Sequence, residues 1–289
     1  MANWVPFVSL SLISICLLVF IVMKNRHIAA HIILFWLFIS GLAYVFEYVI
    51  FVLYNSYSYH PHILSDKYND SVLGSISSQA FSVPIAITYI VVYRLKTTKI
   101  LLIIAGFFLI ETWFLHTDLY EHHWWQSYYT GFFLVVAVIM AKSWWTQLHE
   151  QKNHYIQFIT LFFALSTVSL SFAWILSSIL ELYIIPLNYF SNPTRDLVAG
   201  NALYIWLTTY IYTLVIFFRN KDWSCTVFTI LILLAIETLM VQHGAMILSR
   251  PMMLVVLPLF HLSMIVLGTF TFGKNFHTYS EIHQKRTVL

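Results

Sequence analysis

A chain of 289 residues that is 60% hydrophobic and 9% charged, with a net charge of only +3, cannot cover its own surface with polar groups. Soluble domains carry about 25% charged residues, so this composition excludes a water-soluble globular protein and points to several membrane spans. The small positive balance gives no ground for a nucleic-acid partner; the lipid bilayer is the partner it implies.

Crossing about 30 Å of hydrocarbon at 1.5 Å per residue takes about 20 apolar residues. Nine stretches meet this in chain order: 3–23, 28–54, 73–95, 99–118, 125–146, 155–190 (a span with an irregular outer end), 197–218, 223–243 and 251–273. The first has no basic residue before it and is followed by Lys24 and Arg26, the pattern of a reverse anchor rather than a cleaved leader. The loops after spans 1, 3, 5 and 7 and the tail hold Lys24, Arg26, Arg94, Lys96, Lys99, Lys142, Lys152, Arg219, Lys221, Lys274, Lys285 and Arg286, twelve of the fifteen basic residues. The other side holds Lys67, Arg195 and Arg250. The positive-inside rule makes the first side cytoplasmic. The expected fold is therefore an all-α polytopic transmembrane helical bundle of about nine spans in the plasma membrane, N-terminus out and C-terminus in.

Cys16 and Cys225 fall within or at the inner end of spans, with neither disulfide nor metal spacing expected. The chain carries no phosphate-binding loop, dinucleotide fingerprint, nucleophile elbow or haem motif, so the sequence calls for no cofactor.

Sliding the chain by 126 residues lays "DSVLG" at Asp70–Gly74 on "DLVAG" at Asp196–Gly200, and "IET" at Ile110–Thr112 on "IET" at Ile236–Thr238, without a gap. A shift of 134 also lays Glu47 on Glu181. Spans 2–5 and 6–9 then read as two copies of a four-span unit in the same orientation, a parallel repeat about an axis along the membrane normal. The expected division is a first span over 1–26, one unit over 27–152, a second over 153–275 and a cytoplasmic tail over 276–289.

"YHPHILSDKYNDSVLGSISSQAFSVPIAITYI" followed by "LIETWFLHTDLYEHHWWQSYYTGFF" resembles a family of small, uncharacterised four- to five-span integral membrane proteins of endospore-forming bacteria. The shared pattern is an outer loop rich in Tyr and Pro, an Asp opening a span, an Ile–Glu on a later span, and a Trp-rich segment before the last. The likeness covers about 55–146. It implies the four-span fold and carries no activity with it.

Glu111 and Glu237 lie well inside their spans. An ionised carboxylate there costs several kcal/mol, so it must be protonated, paired or wetted. Matching glutamates in two copies would face a shared axis as paired carboxylates fit for protons or a cation. Against this stands a glutamate that merely bonds two helices. Glu47 and Glu181 are expected toward the outer ends of spans 2 and 6. Asp70 and Asp196 read first as helix N-caps, though both could face the same cavity. His116, Asp118, His122 and His123 form a titratable outer rim; Glu111 and Asp118, seven residues apart, share a helix face, which His122 would continue only if the helix persisted. No stringent metal spacing is present. "HHWW" reads mainly as an aromatic belt. His261 falls mid-span, and Gln79 with Pro84 could open the backbone of span 3.

Three functions follow. The leading one is a transporter or a solute- or ion-binding protein using paired intramembrane glutamates. Next comes a structural or partner-binding membrane protein without chemistry. Last is an intramembrane enzyme acting on a lipid or isoprenoid. No catalytic residue is assigned.

Overall fold

The computed structural model describes residues 2–150, 153–218, 223–249, 252 and 255–270. The tail 276–289, Lys152, Arg219, Lys221, Asp222, Arg250 and the bases beyond 270 lie outside them.

The chain is an all-α, multi-pass bundle. Among the described residues, eight helices are long and apolar enough to cross a membrane, and a shorter apolar helix spans Val255–Phe270. Large apolar side chains stand outward on them: Ile13 is 66% exposed, Leu102 68% and Leu109 69%. Water would penalise every one of these, whereas acyl chains do not.

The chain divides into two compact units, Met1–Ile156 and Gln157–Leu289. In the first, α1 (Trp4–Lys24) is followed by α2 (Ala29–Glu47), which loosens into a π-helical turn over Tyr48–Leu53. Strand β1 (Tyr57–Tyr59) leads to α3 (Lys67–Ile76), a π-helical segment Ser77–Ser82 and α4 (Val83–Val92). Helix α5 (Thr97–His116), strand β2 (Tyr120–His122) and α6 (Ser127–Glu150) complete it. β1 and β2 pair antiparallel, Tyr57 opposite His122 and Tyr59 opposite Tyr120. At the far end Lys142 Nζ donates to the Leu95 carbonyl at 3.4 Å, so the basic loop around Arg94 and Lys96 meets α6 away from the hairpin.

The interruption of α3–α4 has a local cause. Pro84 has no N–H to give the carbonyl of Ala80, four residues back. That oxygen instead accepts the Trp36 indole at 2.8 Å and the Ser40 hydroxyl at 3.1 Å, both from α2. A freed carbonyl at membrane depth is tolerated because a neighbouring helix satisfies it.

The second unit holds α7 (His154–Trp174) with a π-helical turn Ile175–Ile179, β3 (Tyr183–Ile184), α8 (Pro193–Phe218), α9 (Trp223–Gln242), β4 (Ile247–Leu248) and α10 (Val255–Phe270). β3 and β4 pair with Tyr183 opposite Leu248. Its core is filled by Leu161, Leu165, Tyr183, Tyr212, Met246 and Ile265, among others.

Features of the first unit recur 126 residues later. The strand pair Tyr57–His122 becomes Tyr183–Leu248 in the same register. Left-handed backbone at Asn55, His62 and Asp118 recurs at Glu181, Asn188 and Gly244. Each unit has a glycine on the helix after its first strand, because a Cβ at Gly74 would fall 2.5 Å from Tyr59 Cβ and one at Gly200 would strike the Ile185 carbonyl.

Candidate functional site

The first unit encloses a cavity of about 290 Å³. Its walls come from α1, α2, the π-helical segment, α4, α5 and α6, and its roof from the β1–β2 hairpin. Eight aromatic side chains line it: Phe46, Tyr57, Tyr59, Phe107, Phe114, Tyr120, Trp125 and Phe133. Ser77, Ser78, Gln79 and Ser82 enter from the π-helical segment, Thr130 from α6 and Glu111 from α5. The widened turn ahead of Pro84 thus delivers a polar strip to an apolar chamber, a common use of π-helical insertions.

Glu111 is 9% exposed. Its Oε1 lies 3.1 Å from His122 Nε2. Helix α5 ends at His116, the chain turns through left-handed Asp118, and β2 returns His122 over the carboxylate. Glu111 and His122 therefore meet because the helix stops, not because it continues. His116 and Asp118 remain exposed. His123 is exposed and its Nδ1 bonds the Asn55 carbonyl at 2.7 Å. Of the expected rim, only His122 touches Glu111.

A second carboxylate stands behind the wall. Glu47 is buried, and Tyr57 Oη donates to its Oε2 at 2.7 Å. Its Oε1 meets no donor in bonding geometry among the described residues, although the Ser75 and Gln79 side chains stand near the carboxyl group. On the hairpin, burial pushes the Tyr57, Tyr59 and Tyr120 hydroxyls well above the usual phenol range. The negative charge of Glu47 adds to the effect on all three.

The other candidate residues separate from this chamber. Asp70 is no N-cap: Asp66 caps α3 by accepting from Asn69 N. Asp70 instead accepts the N–H groups of His62, Ile63 and Leu64 at 2.7–2.9 Å. Asp196 likewise takes those of Leu187, Asn188, Tyr189 and Phe190 at 2.8–2.9 Å, while Asn192 accepts from Arg195 N. Both aspartates clamp the loop before their helix. Glu181 is exposed at a left-handed turn beyond α7. It takes the place of Asn55 at the 126-residue offset. The residue at the offset of Glu47 is buried Ala173, so the 134-residue pairing of Glu47 with Glu181 does not hold.

Glu237 is 4% exposed and sits in a different environment. Its Oε1 accepts the Tyr204 hydroxyl and lies 2.8 Å from His261 Nε2. His261 Nδ1 faces the Tyr212 hydroxyl at 2.5 Å. The chain is Glu237, His261, Tyr212, all within the second unit. Glu237 Oε2 is buried without a hydrogen-bond partner among the described residues. Nearby, Tyr183 Oη donates to Asn201 Oδ1, whose Nδ2 donates to Ser177.

Several of these residues carry no sequence signal of their own. Trp125 belongs to "HHWW", yet it is 3% exposed and its indole N–H donates to Thr130, whereas Trp124 stands outward. Tyr57 and Tyr59 flank a polar Ser in "YSY", an alternation too short to mark a strand by itself. Among the described residues, no three His, Cys, Asp or Glu side chains converge as a metal-binding set. No protein-family model, curated protein or solved structure matches this chain.

Proposed function

We propose that this multi-pass membrane protein binds and carries a small solute in the cavity of its first unit, with Glu111 as the polar anchor. The observation that carries this reading is a buried carboxylate facing an aromatic chamber of about 290 Å³. Intramembrane acids mark ligand and proton paths by default. Small-ligand sites are apolar chambers with few, placed polar groups. A plasma membrane with the hairpin side facing out is the reading that the concentration of bases near Lys96 and the resemblance to membrane proteins of endospore-forming bacteria support.

In this reading the two units are copies of one four-helix element. The shared strand register, left-handed positions and loop-clamping aspartates support it. The copies have diverged: the first carries the chamber beside Glu111, and in the second Glu237 is bonded to Tyr204 and His261.

Thermal stability of the purified chain tests the solute site. Wild type and Glu111→Gln are compared across about pH 5–9 with inorganic cations and small organic solutes. A ligand at 100 times its Kd should add about 2.7 kcal/mol. A shift present in wild type and lost in Glu111→Gln supports binding at this chamber. Shifts equal in both proteins, or none, reject it.

A further inference from the structure

The charge of the chamber bears on what it holds. Glu111 is nine-tenths buried, and its Oε2 meets no hydrogen-bond donor among the described residues. Among the described residues, no Lys or Arg lines the cavity. The base in contact with Glu111 is His122, which serves Oε1. Glu47 adds a second acid, one tyrosine behind the wall. A low-dielectric site with acids and no fixed cation favours a ligand that brings positive charge.

The walls favour the same sign. Tyr59, Tyr120 and Trp125 all line the cavity; Tyr59 and Tyr120 stack on each other at 4.7 Å, which leaves one face of each uncovered by the other. Aromatic faces carry negative quadrupole and attract a cation within about 6 Å of the ring centroid. A bare metal ion is a poor fit, since hard cations need about six converging oxygens. The lining is mostly carbon, so the ligand must also present an apolar body.

We infer that the chamber takes a small organic cation, an ammonium with an apolar body, its charge held at Glu111 in a cavity lined by the rings of Tyr59, Tyr120 and Trp125. This rests on the solute site proposed above and specifies its ligand class. His122 and the ligand would compete for the same carboxylate.

Calorimetric titration of the full chain in detergent with three probes that share a benzyl body is the test. Benzyltrimethylammonium is the cation, neopentylbenzene its uncharged carbon isostere, and phenylacetate an anion. The cation should bind at least about tenfold more tightly than the isostere, and the anion should not bind. Glu111→Gln should reduce the cation's advantage to about twofold or less while leaving isostere binding in place. Trp125→Leu, which keeps the carboxylate, should weaken the cation severalfold more than the isostere and decides the matter if Glu111→Gln does not fold. Ala137→Phe, filling the chamber, should abolish binding of both. Equal affinity for cation and isostere in wild type would overturn the ligand class while leaving the solute site standing. Binding that survives Ala137→Phe, or no binding by any probe, would overturn the site as well.

Discussion

His122 reaches Glu111 at 3.1 Å across eleven residues of sequence, because the chain reverses at Asp118 and pairs β2 with β1. The contact couples a buried acid to the hairpin that roofs the chamber. Replacing His122 by Ala should leave the acid without its partner and cost about 1–3 kcal/mol, while His122→Gln, which keeps a donor, should cost less. Thermal melts of the three proteins check the order. Equal losses would show that the bond contributes nothing.

The pair Glu237–His261 is buried more deeply and should behave differently. Breaking a buried pair by removing one partner costs about 3–5 kcal/mol. His261→Phe and Glu237→Leu should each lower stability by that order, and the double substitution should cost clearly less than the sum. A double-mutant cycle with no coupling would contradict the bonded pair.

Turning to the hairpin, Tyr57, Tyr59 and Tyr120 are held neutral by burial, with Glu47 adding to it. Their folded pKa values are raised above the unfolded value of about 10. The stabilisation is therefore fully present below about pH 10 and is lost as pH rises beyond it, because the unfolded phenol ionises first. Alkaline titration followed by tyrosinate absorbance should show exposed tyrosines ionising early and a late cooperative step that coincides with unfolding. A single smooth titration near pH 10 would contradict the burial.

The Ala80 carbonyl supplies a further test. Trp36→Phe or Ser40→Ala alone leaves one donor on that oxygen and should cost about 1 kcal/mol. Together they strand it and should cost more than the sum of the singles. Additive losses would mean that the opened backbone before Pro84 finds another donor.

The spans were legible in the sequence because hydropathy and charge placement act over twenty residues at a time. α1, α5 and α9 lie within two residues of their expected bounds. Glu111 and Glu237 stood out for the same reason: a carboxylate inside an apolar helix is costly enough to notice. What was not legible depends on how the chain turns between helices. The partner of Glu111 lies beyond a left-handed residue that ends the helix, so helical periodicity pointed to Asp118 instead. Asp70 and Asp196 share an offset of 126 residues, but only the folded loops show that they bind backbone N–H groups rather than face a chamber. Trp125 and Trp124 are adjacent in sequence, and the strand-to-helix turn sends one inward and one outward.

A solute chamber walled by Glu111 must be open to small reagents at Ser78, which lines the same cavity. Ser78→Cys would be placed in a Cys16→Ser/Cys225→Ser background and treated in membranes with thiol reagents of equal size, one cationic and one anionic. The cationic reagent should modify the thiol faster than the anionic one, be slowed by benzyltrimethylammonium, and lose its advantage in Glu111→Gln. A thiol that resists both reagents, or reacts with both at equal rates whatever stands at position 111, would contradict it.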